Sequence, residues 1–146
     1  MATIQWFPGH MSKARRQVQE SIKFVDFVTI LVDARLPLSS QNPMLTKIVG
    51  DKPKLLILNK ADLADPNLTK EWQTYFESQG IKTLAINSKE QSAVKKVTEA
   101  AKKLMADKLA RQREWGIQIE TLRTMIIGIP NAGKSTLMNR LAGKKI

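Results

Sequence analysis

Gly128-Ile129-Pro130-Asn131-Ala132-Gly133-Lys134-Ser135-Thr136 is the stretch on which the reading of this chain turns. Its spacing, GxxxxGKST, is that of a phosphate-binding loop. The residues before it, Thr124-Met125-Ile126-Ile127, form a β-branched apolar run, and Ser135 to Leu141 reads as a short helix with Leu137, Met138 and Leu141 as its buried stripe. Strand, glycine-rich loop and helix is the order that phosphate binding requires, because the loop must turn its N–H groups inward at a helix N-terminus. Gly128 and Gly133 permit that turn. Lys134 supplies a cation to β and γ oxygens, Ser135 a hydroxyl to Mg²⁺, and Asn131, Ala132 and Thr136 complete the candidate phosphate site.

Working outward, a second motif stands about seventy residues earlier. Lys54-Leu55-Leu56-Ile57-Leu58 follows Pro53 and reads as an interior parallel strand, and Asn59-Lys60-Ala61-Asp62 ends it. A carboxylate at Asp62 can accept from two adjacent donors, the N1–H and 2-amino group of guanine, which adenine does not offer. A site built around such a pair rejects the wrong base because its polar groups would go unpaired. Asn59 orders the loops, and Lys60 belongs to the same nucleotide-binding set. By itself the tetrapeptide also suits a polar turn after a buried strand. Joined to the phosphate loop, it reads as base recognition.

A third element lies between them. Thr83-Leu84-Ala85-Ile86 is a short strand ending in Asn87-Ser88-Lys89, whose backbone can reach a guanine carbonyl, with Asn87 and Ser88 as candidate nucleotide contacts. An ordinary strand end fits the tripeptide equally well. In an open parallel sheet ligand loops lie at the carboxyl ends of the strands, so the three loops can share one site whatever their order along the chain. The base loop precedes the phosphate loop here, the reverse of an ordinary small GTPase, which points to circular permutation. The expected fold is α/β: a P-loop NTPase-like, doubly wound, mainly parallel sheet, with strands near Phe27–Val32, Leu55–Leu58, Thr83–Ile86 and Thr124–Ile127. Ala93, Val97, Ala100 and Leu104 form a helical stripe, with Lys95, Lys96, Lys102, Lys103 and Lys108 on the outer faces and Trp115-Gly116 breaking the helix. Trp6-Phe7-Pro8-Gly9 reads as an aromatic turn before a helix capped by Ser12, with Ala14, Val18, Ile22 and Val25 along one face and Lys13, Arg15 and Arg16 projecting. Asp33 and Arg35, after the first of these strands, are read as organising their loop.

These motifs together resemble the circularly permuted ribosome-assembly GTPases of the YlqF/RbgA type. The resemblance covers nearly the whole chain and rests on Trp6-Phe7-Pro8-Gly9-His10-Met11 with Lys13, Val32-Asp33-Ala34-Arg35-Leu36-Pro37, Asn59 to Asp62, Asn87 to Lys89, and Gly128 to Thr136. It implies GTP and GDP as ligands, Mg²⁺ as cofactor, slow hydrolysis stimulated by the large ribosomal subunit precursor, and contact with rRNA. It further implies that His10 stands in for the usual water-orienting Gln, although a lone His says little by itself. Asn131 matches the residue that related GTPases use with K⁺.

One departure is large. No Asp-x-x-Gly follows Thr136 before Ile146, so residues 1–146 are read as a partial G domain, without switch regions or a carboxy-terminal RNA-contacting domain. Such a chain is expected to hold nucleotide and not to turn it over. The 146 residues suffice for one core, and 24 Lys and Arg against 13 Asp and Glu leave a formal +11. That balance favours a polyanionic partner, for which RNA rather than DNA or a membrane is expected. Cysteine is absent, excluding disulfides and thiolate metal sites. No membrane-length apolar run or signal-peptide core is present, and the expected location is the cytoplasm. Two other readings stay open: an RNA-binding module gated by nucleotide, in which hydrolysis is incidental, and an ATP-using P-loop enzyme, against which Asp62 argues.

Overall fold

The computed structural model describes residues 2–9, 20–35, 37, 50–116, 120–128 and 133–143. Along the chain the elements are β1 (Ala2–Gly9), β2 (Phe27–Asp33), β3 (Lys54–Asn59), α1 (Pro66–Ser78), β4 (Lys82–Ala85), α2 (Ser92–Leu104), α3 (Ala106–Glu114), β5 (Glu120–Gly128) and α4 (Lys134–Gly143), with a 3-10 turn at Ala61–Leu63. The five strands form one sheet in the order β1-β5-β2-β3-β4. Every pairing is parallel.

The composition of the strands follows from burial on both sheet faces. Phe27 to Val32 are all buried, as are Leu55 to Asn59, so these strands read as continuous apolar runs rather than alternating ones. Side chains still alternate between faces. Phe27 and Leu31 join Leu55, Ile57, Leu122 and Ile126 beneath α2, α3 and α4, through Val97, Ala101, Leu109, Leu137 and Leu141. Val28, Ile30 and Val32 point the other way with Leu56, Leu58, Met125 and Ile127, against Phe76 of α1 and against Ile22 and Val25. Helices therefore cover both faces, the doubly wound arrangement expected. One polar pair interrupts the first layer: the hydroxyls of Thr29 on β2 and Thr124 on β5, both fully buried, lie 2.9 Å apart and satisfy each other.

Four strands lie where they were expected, with ends shifted by at most four residues. The fifth is a correction. Trp6-Phe7-Pro8-Gly9 is no turn but the end of β1, in parallel register with β5 from Ala2 opposite Glu120 to Gly9 opposite Ile127. Among the described strands β1 lies at the edge of the sheet, paired on one side only, a position that tolerates Pro8. Helix α1 was not foreseen. It starts on Asp65, whose carboxylate accepts from the N–H of Asn67 at 2.8 Å, with Pro66 in the first turn. Trp72 stacks on Phe76 at 5.7 Å between ring centres. The expected stripe Ala93, Val97, Ala100 is buried in α2, but the helical segment breaks at Met105 into two helices before ending at Trp115, followed by Gly116 at φ +78°. Ile22 and Val25 are buried as read, but the described helical residues end at Ile22 and Val25 lies beyond them; the positions expected to begin that helix, Ser12 to Val18, lie outside the described residues.

Candidate nucleotide-binding site

Three chain segments meet at the carboxyl edge of the sheet. β3 ends in Asn59, β4 is followed by Ile86, Asn87 and Ser88, and β5 leads through the phosphate loop to Gly133 at the head of α4. Backbone bonds lock the first two together: the N–H of Ile86 donates to the Leu58 carbonyl at 2.9 Å, and the N–H of Ala61 to the Ile86 carbonyl at 3.0 Å.

Asn59 is the hub. Its side chain is buried, with 1% of the residue exposed, and Oδ1 accepts from the Ser88 N–H at 2.9 Å. On its other side the amide faces the phosphate loop. A β-carbon built on Gly133 would lie 2.6 Å from Asn59 Nδ2 and 3.9 Å from Ser88 Oγ, and Gly133 has φ +87°, so the site demands glycine both for space and for backbone conformation. Ser88 is buried as well, and Asn87 closes its turn by accepting from the Lys89 N–H at 3.0 Å. Arg140 of α4 donates to the Lys89 carbonyl at 2.5 Å, a second tie between the phosphate-loop helix and the loop after β4.

Beside this hub sits a charged cluster built on Asp33 and Arg35, the pair read as organising their loop, with Lys60 as a third member. Asp33, opposite Asn59 in the β2–β3 register, accepts at Oδ1 from the backbone N–H of Arg35 at 2.9 Å and from its Nε at 3.0 Å, and at Oδ2 from Nη2 at 2.7 Å. Lys60 Nζ stands 3.7 Å from the same Oδ2. The Arg35 side-chain hydrogen bond, aided by the Lys60 charge and opposed by partial burial, holds the Asp33 carboxyl down from 3.8 to about 2. The reciprocal contact, with a smaller contribution from the charge of Asp62, raises the Arg35 guanidinium. Lys60 has φ 61° and so turns the chain from β3 into the 3-10 turn that carries Asp62 on the exposed surface. The Asp-x-Arg spacing after a strand was the available signal for this cluster.

Of the residues expected to bind nucleotide, the structure brings Asn59, Ser88 and Gly133 into one locus, with Asn87, Lys60 and Asp62 on the adjoining loops. Lys134, Ser135 and Thr136 form the first turn of α4, whose backbone N–H groups open at this edge, and Thr136 is exposed. His10, Asn131 and Ala132 lie outside the described residues, as do the side chains of Lys134 and Ser135.

A parallel sheet with a glycine-led helix and a side-chain amide joining two loops at its carboxyl edge is the architecture of the P-loop nucleotide-binding class. Residues 123–146 match the family model described as 50S ribosome-binding GTPase. Across 99% of its residues the chain is similar to proteins named ribosome biogenesis GTPase A, the type that its motifs resemble. It is 53% identical over 144 residues to that of Bacillus pumilus and 52% over 145 residues to that of Priestia megaterium. It spans about half the length of these relatives, 51% and 50%. Among solved structures it is similar to GNP-bound YlqF from T. maritima, with a TM-score of 0.63 and 30% identity over 91% of this chain and 49% of that one. No helix among the described residues is long and apolar enough to cross a membrane.

Proposed function

We infer that this chain is the nucleotide-holding part of a circularly permuted GTPase that assists assembly of the large ribosomal subunit in the cytoplasm. The observation that carries the reading is the Asn59 side chain, which accepts from the Ser88 N–H and lies against Gly133 at the head of α4. A phosphate loop by itself serves many NTPases. A phosphate loop braced against a base loop ending in Asp62 selects guanine. Relatives named as ribosome biogenesis GTPases, and a solved relative bound to GNP, support the same reading.

In this reading Asp62 accepts from the guanine N1–H and 2-amino group, the Ser88 and Asn87 backbone borders the base, and Lys134 sits between β and γ oxygens. Gly133 fits the phosphate group, because its missing β-carbon lets the backbone at the head of α4 lie against Asn59, where the helix N-terminus offers N–H groups to an anion. Mg²⁺, when bound, neutralises developing charge on the phosphates; Ser135 would hold it, and Asn131 would hold K⁺. His10 would orient the attacking water. The formal +11 and the exposed Lys95, Lys96, Lys103 and Arg111 on α2 and α3 supply the field for rRNA. The same charge favours a second reading, an RNA-binding module gated by nucleotide: salt-dependent rRNA affinity that differs between GDP and a GTP analogue, without RNA-stimulated turnover, would select it.

The test is base selectivity in the full-length protein. Titration calorimetry is expected to show GDP bound far more tightly than ADP, and Asp62→Asn to lose GTP affinity and gain affinity for XTP. Equal binding of GDP and ADP by the unaltered protein would refute the assignment. Lys134→Ala with unchanged GTP affinity would refute the phosphate-loop role.

A further inference from the structure

We propose that Asp33 is a positioning residue for base recognition: it restrains Arg35 so that the carboxylate of Asp62 stays open to the base. The inference rests on the guanine-reading role of Asp62. Three observations carry it. Asp33 accepts two hydrogen bonds from the Arg35 guanidinium, Nε to Oδ1 at 3.0 Å and Nη2 to Oδ2 at 2.7 Å, and a third from the Arg35 backbone N–H at 2.9 Å, so both carboxylate oxygens hold the guanidinium in place. Lys60, the residue that swings the chain into the turn bearing Asp62, is drawn to the same carboxylate at 3.7 Å. The Arg35 side chain is 47% exposed, and its loop runs beside the one that leads to Asp62, the Ala34 N–H donating to the Asn59 carbonyl at 2.7 Å, whereas the Asp33 side chain is only 12% exposed and fixed at a strand end.

The consequence is a competition between two carboxylates for one guanidinium. Asp62 must present two free acceptor oxygens to the base, and an arginine fork is the protein group best shaped to occupy both. With Asp33 charged, Arg35 is committed. With Asp33 neutralised, Arg35 turns to the remaining nearby carboxylate, and guanine must displace it. The N1–H and the 2-amino group then both lose their acceptor, so the penalty is larger for ligands that carry both donors than for those with N1–H alone.

The experiment is calorimetric binding of GDP and of inosine diphosphate, which lacks the 2-amino group, to full-length protein. The unaltered protein is expected to prefer GDP. Asp33→Asn is expected to weaken GDP binding about tenfold and inosine diphosphate binding less, narrowing the preference. Asp33→Asn combined with Arg35→Gln is expected to restore both affinity and preference to within about threefold of the unaltered protein, and Arg35→Gln alone to change little. If the double variant stayed as weak as Asp33→Asn, or if both ligands weakened equally, Asp33 would be a loop support only and the proposal would fall. An unchanged Asp33→Asn would overturn it as well. Failure of the base-reading role itself appears separately, as an unaltered protein indifferent to GDP and ADP.

Discussion

The side-chain amide of Asn59 and the α-carbon of Gly133 approach so closely that a single methyl on Gly133 would sit 2.6 Å from Asn59 Nδ2. Both residues were legible as motif members. Their contact makes the base loop and the phosphate loop one mechanical unit. Asn59 cannot yield, because it is buried and its Oδ1 is committed to the Ser88 N–H.

Gly133→Ala should therefore be costly on two counts, the clash with Asn59 and a φ of +87° that disfavours any β-carbon. The expected loss is about 2 kcal/mol or more of stability, together with nucleotide affinity. Urea unfolding and GDP titration of the same variant measure both. A variant as stable as its parent would show that the loop relaxes freely.

Asn59→Ala removes the acceptor and leaves the Ser88 N–H without it in a buried place. The expected cost is about 1–3 kcal/mol, with GDP affinity falling more than stability alone explains. Asn59→Asp keeps an acceptor and should preserve the Ser88 bond, so its stability should lie closer to that of the parent. Comparing the two variants by denaturation separates the hydrogen bond from the packing.

The Thr29–Thr124 hydroxyl pair offers a double-mutant cycle. Either Thr→Val change strands a partner hydroxyl at a site with 0% exposure, at about 1–2 kcal/mol. Changing both to Val removes both polar atoms and should cost less than the sum of the singles. Additive losses would mean that the two hydroxyls do not depend on each other.

Asp33 sets an acid limit. Its carboxyl is held at about 2 instead of 3.8. A depressed folded value means that its stabilisation is complete above the unfolded value near 4 and is lost as pH falls towards 2. With Arg35 half in solvent, screening limits the contribution to about 1 kcal/mol. Stability measured from pH 5 down to pH 2 should fall more steeply for the unaltered protein than for Asp33→Asn, and parallel curves would deny the linkage.

What the sequence made legible divides along physical lines. The loops at Asn59, Ser88 and Gly133, which the fold brings together, could be found because each carries a short run of restricted residue types at fixed spacing. The doubly buried strands could be found because burial on both faces leaves unbroken apolar runs. Strand β1 could not, since Pro8-Gly9 signals a turn locally and only its place at the sheet edge permits it to pair. Helix α1 was hidden by its mixed surface, although Asp65-Pro66 and the Trp72/Phe76 spacing were there to be read. Arg140 reaching the Lys89 carbonyl, 51 positions away, follows from tertiary packing and has no local signature.

The strand order has a consequence for how the molecule comes into being. β1 pairs with β5 and with no other described strand, yet about 110 residues separate the end of one from the start of the other. During synthesis at ~5–20 residues/s, the first strand to emerge waits roughly 5 to 20 s for its neighbour to be made. Through that interval β2, β3 and β4 can already pair among themselves, but the slot between β1 and β2 stays vacant. The strand ahead of the glycine-rich loop fills that slot, so among the described strands β1 and β2 are joined into one sheet only once β5 has been made.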